Sequence, residues 1–150
     1  MKIGIISDTH GLLRPTVIDL FAGVDHILHA GDVGGAHIIG ALRKIAPVTY
    51  VGGNNDEDSD GNDIVRITLG GTRILLTHIL PRADKPRAEV VESMRREPAD
   101  LVVFGHSHQP HNEVIRGVTF FNPASAGPRR FNNPILVGVM ENGALRHVAV

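Results

Sequence analysis

Five short apolar runs in this chain each end within four residues of a group that can bind a metal ion. Asp8 and His10 follow Ile3–Ile6, Asp32 follows the run ending at Leu28, Asn54 follows Val51, His78 follows Leu76, and His106 and His108 follow Phe104. Parallel strands in an open α/β sheet bring their C-terminal ends to one edge, so residues placed just beyond those ends converge. The pattern therefore constrains fold and site together.

The runs alternate with helical patterns in the first half. Ile3–Ile6, His26–His29 and Val48–Val51 read as strands, and Pro15–Phe21 and Ala36–Ile45 read as helices. That order is βαβαβ and predicts parallel pairing. Pro15 suits a first helical turn, and Ile38, Ile39, Leu42 and Ile45 recur on one helical face. Asp56–Asp63 is acidic, contains glycine and has no period, as expected of a surface loop. Ile64–Leu69 and Arg73–Thr77 flank Gly70-Gly71, a hairpin signal. Lys85–Arg96 reads as a surface helix and Leu101–Phe104 as a buried strand. Glu113–Ile115 with Thr119–Phe121, around Arg116-Gly117-Val118, and Ile135–Met140 with Ala144–Val150, around Asn142-Gly143, complete the strands.

At 150 residues the chain has the length of one domain, 1–150, with a single core. Fifteen basic residues against sixteen acidic ones give no global field for nucleic acid or an anionic membrane. The apolar stretches are strand-sized, so no transmembrane helix or signal peptide is expected, and the expected location is the cytoplasm. Without cysteine, thiolate is removed from the list of nucleophiles and ligands.

Asp-x-His alone is weak evidence for metal, since either residue can cap a helix or sit solvated in a loop. Gly-His-Ser-His is stronger, and five motifs in order, each at a strand end, are stronger again. Carboxylate, amide carbonyl and imidazole suit borderline and hard divalent ions. Seven ligands exceed the needs of one catalytic ion but suit two ions sharing an aspartate. His26, His29, His37, His111 and His147 belong to no spaced set and read as core or surface histidines, with His29 and His111 nearest to the proposed ligands.

The order Asp-x-His, Gly-Asp, Gly-Asn-x-Asp, His and Gly-His-x-His resembles the calcineurin-like metallophosphoesterase superfamily. Ile-Ile-Ser-Asp-Thr-His-Gly and Phe-Asn-Pro-Ala-Ser are similar to its small prokaryotic phosphodiesterase branch. The resemblance implies an α/β four-layer sandwich, two mixed β-sheets face to face flanked by helices. It implies two divalent ions, with manganese preferred over iron, cobalt, nickel, zinc or magnesium. Asp8, His10 and His108 would hold one ion, Asn54, His78 and His106 the other, and Asp32 would bridge them. Asn54, His106 and Asp32 are the residues expected to carry catalysis, in which a hydroxide bridging the ions attacks phosphorus. The expected reaction is hydrolysis of small phosphodiesters, with cyclic nucleotides among the candidates. A phosphomonoesterase or nuclease on the same site, and a non-catalytic scaffold of the same fold, are the alternatives. The expected partner is a small phosphoester; no membrane partner is expected, nucleic acid is disfavoured, and a homo-oligomer is left open.

The chain departs from that family pattern at three places. Asn55 stands where many members carry histidine, and it cannot protonate a leaving oxygen. Val33-Gly34-Gly35 follows Asp32 without the usual second acid, so a supporting contact is lost or supplied elsewhere. Ile79 replaces a glycine after His78, which narrows the pocket or shifts the loop Leu80–Arg82.

Overall fold

The computed structural model describes all residues, 1–150. Strands and helices alternate at the start of the chain: β1 (Lys2–Ile6), α1 (Pro15–Leu20), β2 (His26–His29), α2 (Ala36–Arg43) and β3 (Val48–Tyr50). Strands β1, β2 and β3 pair in parallel, as the βαβαβ pattern requires. The second half supplies β4 (Ile64–Leu69), β5 (Thr72–Thr77), α3 (Ala88–Arg96), β6 (Leu101–Val103), β7 (Pro110–Ile115), β8 (Val118–Pro123), β9 (Leu136–Glu141) and β10 (Ala144–Ala149). One sheet runs β10-β9-β1-β2-β3 and the other β4-β5-β6-β8-β7; both are mixed.

Alternation along the strands sorts the apolar side chains into three layers. Ile3, Ile5 and Leu28 from one sheet meet Ile74, Leu76, Leu101, Val103 and Phe121 from the other between the sheets. On the outer face of the first sheet, Ile6 and Ile27 pack with Val17, Phe21, Ile38 and Leu42 of the first two helices and the turn after α1. Leu75 and Val102 turn the other way and meet Val90 of α3. Helices, sheet, sheet and helix form the four layers expected. Strands buried on both faces are continuous apolar runs, which is why β1 and β6 are so plain in the sequence.

All three hairpins turn through two residues with positive φ: Gly70-Gly71, Arg116-Gly117 and Asn142-Gly143. That is the geometry that matches strand twist. Val118 therefore belongs to β8 rather than to its turn. Strand β7 begins at Pro110, earlier than the expected Glu113; it lies at a sheet edge, where proline's missing N–H costs no ladder bond. Helix α3 begins at Ala88 rather than Lys85, because the residue before Pro86 is pushed out of the helical region. No helix is long and apolar enough to cross a membrane.

Candidate metal centre

Six of the seven predicted ligands, all but Asn54, come from both sheets and meet at one end of the sandwich. Asp8, His10, Asp32 and Asn54 follow β1, β2 and β3; His78, His106 and His108 follow β5 and β6. Two groups form, Asp8 with His10 and His108, and Asp32 with His78 and His106, the ligand atoms of each lying within 4.8 Å of one another. Asp8 Oδ1 lies 3.3 Å from His108 Nε2 and 3.8 Å from His10 Nε2. Asp32 Oδ2 lies 3.3 Å from His78 Nε2 and 3.7 Å from His10 Nε2, so it faces an imidazole of each group.

Two atoms at the centre lack protein partners. Asp8 Oδ1 and His78 Nε2 are buried without a hydrogen bond, and a buried unsatisfied polar atom typically costs about 1–3 kcal/mol. His10 and His108 turn Nε2 toward each other at 3.4 Å, an arrangement suited to two lone pairs on a shared cation. Carboxylate oxygens and imidazole nitrogens aimed into one space fit divalent ions.

The backbone is bent to make this fit. Asp8, His10, Asp32, His106 and His108 all have positive φ, between 46° and 72°. Side-chain-bearing residues rarely adopt that region, and such residues cluster at functional sites. Sequence offers no direct signal for it beyond the tolerance of Asp, Asn and His for the left-handed region.

Each ligand is held from behind. His78 Nδ1–H donates to the Ala30 carbonyl at 2.7 Å, which fixes the tautomer and frees Nε2. Asp8 Oδ2 accepts from Ser7 Oγ at 2.6 Å and from the His106 N–H at 3.1 Å, which leaves Oδ1 for the centre. Asp32 accepts from Asn55 twice, Oδ1 from the backbone N–H at 2.9 Å and Oδ2 from the side-chain amide at 2.8 Å. Burial opposes ionisation of Asp32, but the neighbouring His78 imidazole and the two hydrogen bonds from Asn55 hold its carboxyl well below the usual carboxylate range. The Asn55 side chain therefore grips the candidate bridging carboxylate instead of facing a leaving group.

The loop that follows Asp32 is supported by Asp56. Its carboxylate accepts the N–H groups of Val33, Gly34 and Gly53 at 2.9–3.0 Å, tying the loop after β2 to the loop after β3. Asn122 of the Phe-Asn-Pro-Ala-Ser segment donates to Gly105 O and Ser107 Oγ and so holds the turn that carries His106. Gly53 and Gly105 are required by close approach: a Cβ at Gly53 would lie 2.1 Å from Asp32 Oδ1, and one at Gly105 2.1 Å from Ser7 Oγ. These glycines make room for the ligands' supports.

His29 lies outside the centre. Its Nε2–H donates to Thr9 Oγ1, whose hydroxyl donates onward to the Val33 carbonyl, and its Nδ1 accepts from the Gly31 N–H. Complete burial pushes its pKa down to about 4, and the ring is a neutral internal strut. Asn54 sits exposed in the turn after β3, beside the anchored Asn55. Arg14 donates to the Gly127 carbonyl and Arg129 to the Asn133 carbonyl, so both brace the loop that contains Arg130.

This fold and double ligand group are those expected of a metallophosphoesterase. Residues 1–143 match the model of the calcineurin-like phosphoesterase superfamily domain, and the chain belongs to that family. It is 34% identical to the probable metallophosphoesterase YsnB of Bacillus subtilis, over 83% of this chain and 75% of that protein. It is 27% identical to the phosphodiesterase YfcE of Escherichia coli, over 100% of this chain and 92% of that protein. Among solved structures, a novel archaeal phosphodiesterase superposes with a TM-score of 0.80 at 21% identity, covering 100% of both chains. A single mutant of Vps29 from Entamoeba histolytica superposes with a TM-score of 0.76 at 24% identity, covering 100% of this chain and 98% of that one. The last two are likenesses of fold.

Proposed function

We propose that the chain is a divalent-metal-dependent phosphodiesterase acting on small phosphodiesters, with cyclic nucleotides among the candidates. The observation that carries this is the paired ligand groups, in which Asp8 Oδ1 and His78 Nε2 are buried and unpartnered. Two ions are proposed, manganese by preference, with Asp8, His10 and His108 around one, Asn54, His78 and His106 around the other, and Asp32 between them. When bound, such ions supply Lewis acidity toward phosphoryl oxygens and an acidified water as nucleophile. Asp32 then offsets the repulsion of two cations, and Ser7 and Asn55 keep the two carboxylates oriented. The Asn54 amide is the protein's own donor for a phosphoryl oxygen. His106 is exposed at the rim, which supports a role facing the substrate.

A second reading, a scaffold of the same fold, is prompted by the likeness to Vps29. Fold alone does not decide activity. The two candidate ligand groups and the strained backbone that carries most of their residues favour the enzyme. The deciding experiment strips the protein of metal, verifies removal, and assays it with and without manganese against bis(4-nitrophenyl) phosphate, cyclic nucleotides and monoesters. The expected result is no turnover without metal, recovery with it, and diesters preferred; Asp32→Ala should abolish the recovery. Inactivity of every metal-loaded form on every ester leaves the scaffold reading standing, whereas preference for monoesters moves the assignment to a phosphomonoesterase.

A further inference from the structure

Both neighbours of the candidate ligand His78 are held by an arginine from another layer of the molecule. Arg87 is the N-cap of α3, and its carbonyl accepts the N–H groups of Val90 and Val91 at 3.1 Å, which fixes its backbone to the helix. Its guanidinium donates to the Ile79 carbonyl, to Thr77 Oγ1 at 2.7 Å and to the Asn62 carbonyl at 2.7 Å. The Thr77 hydroxyl passes the link on, donating to the Asp63 carbonyl at 2.9 Å. One side chain thus ties the end of β5 to the close of the acidic loop.

That loop in turn bears on Asn54. The Ile79 N–H donates to the Gly61 carbonyl at 3.0 Å. A Cβ at Gly61 would lie 2.7 Å from Ile79 Cδ1 and 3.1 Å from the Asn54 backbone nitrogen, so Gly61 fills the space between the two. Isoleucine at position 79 therefore sets the spacing between the end of β5 and the turn that carries Asn54. The supports of Asp8, by contrast, are Ser7, Ser125 and the His106 N–H, and Arg87 reaches none of them.

Arg87 is held at a cost. The guanidinium is largely buried, its Nε has no hydrogen bond, and the Glu89 carboxylate stands 3.8 Å from that nitrogen. Burying a charge without complete pairing is unfavourable. Helix α3 has other anchors: Val90 sits in the apolar layer, and Arg66 grips the far end through Ser93 Oγ at 2.9 Å and the carbonyls of Ser93, Glu97 and Pro98.

From this geometry we infer that Arg87 is a positioning residue for one half of the metal centre. By holding both neighbours of His78 and the segment behind Asn54, it sets the ligands of one ion and leaves the group of Asp8, His10 and His108 alone. It touches neither metal nor substrate. The inference rests on the two-ion reading of the centre.

Manganese titration of metal-free protein, with the free ion read by electron paramagnetic resonance, tests it, and urea unfolding of the same samples is the control. The parent should bind two ions. In Arg87→Met, which keeps the apolar stem but removes the donors, one ion should bind as in the parent and the other roughly ten- to a hundredfold more weakly, the range typical of groups that orient metal ligands. Arg87→Lys keeps the charge but cannot span three separate acceptors, so it should fall between. Arg66→Met, which unties the other end of α3, should lower the urea midpoint and leave both binding steps unchanged. If Arg87→Met does not fold, Arg87→Lys carries the test, and one weakened step is still the expected result. Two unchanged steps in the Arg87 variants, equal weakening of both, or the same split in Arg66→Met overturns the role of Arg87 alone. Folded parent protein that binds fewer than two ions overturns the two-ion reading and this inference with it.

Discussion

Replacing Asn55 with leucine keeps side-chain volume but removes the amide that donates to Asp32 Oδ2 at 2.8 Å. The backbone N–H to Oδ1 remains, so the carboxylate loses one of its two supports on this side. A hydrogen bond to a charged acceptor contributes about 1.5–3 kcal/mol when buried. Asn55 is exposed, and solvent competition reduces that to about 1 kcal/mol. Through the freed rotation of Asp32 this corresponds to roughly a tenfold loss of metal affinity, at the lower end of the 10–100-fold typical for groups that orient metal ligands. Asn55→Ala should behave alike, because the donor rather than the volume is what matters. Manganese affinity by competition with a chelating dye measures the effect, and thermal unfolding of metal-free protein serves as control. Both variants should bind manganese less tightly while unfolding, metal-free, within a few degrees of the parent. Unchanged affinity in both variants would refute the claim that Asn55 positions the candidate bridging carboxylate.

Gly105→Ala should be more severe, since its Cβ would lie 2.1 Å from Ser7 Oγ and 2.7 Å from Asp8 Oδ2; we expect a loss of metal affinity beyond roughly a hundredfold, read by the same titration. His29 makes stability acid-sensitive. Its folded pKa of about 4 lies below the ordinary 6.5, so the unfolded chain takes up a proton first; its contribution is intact above pH 6.5 and falls by about 3 kcal/mol as pH drops toward 4. Urea midpoints of the metal-free protein should fall across that window, and His29→Gln should flatten the slope there. Phe121→Ala, which empties the space between the sheets, should cost about 3–5 kcal/mol in chemical denaturation.

What could be read in the sequence is what repeats locally. Ile3–Ile6, Leu101–Phe104 and the glycine-bearing turns declare strands and hairpins by their own composition, and the candidate ligands are the residues left at strand ends. The supports could not be read, because each joins segments far apart in the chain: Ser125 Oγ donates to the Asp8 carbonyl across 117 positions, and Asp56 reaches back to Val33 and Gly34. Asn55 shows the limit most clearly. Its chemistry excludes proton donation to a leaving group, but only the fold reveals that its amide is engaged by Asp32.

The candidate ligands divide between the two sheets, with every carboxylate on one and His78, His106 and His108 on the other. Neither sheet alone owns a complete coordination sphere. Any ion bound between them is therefore a clasp across the sandwich, and binding energy becomes resistance to the sheets sliding or separating. The reverse coupling holds as well: a packing defect as remote as Phe121→Ala, by loosening the register of one sheet on the other, should register as weaker metal binding before the protein unfolds.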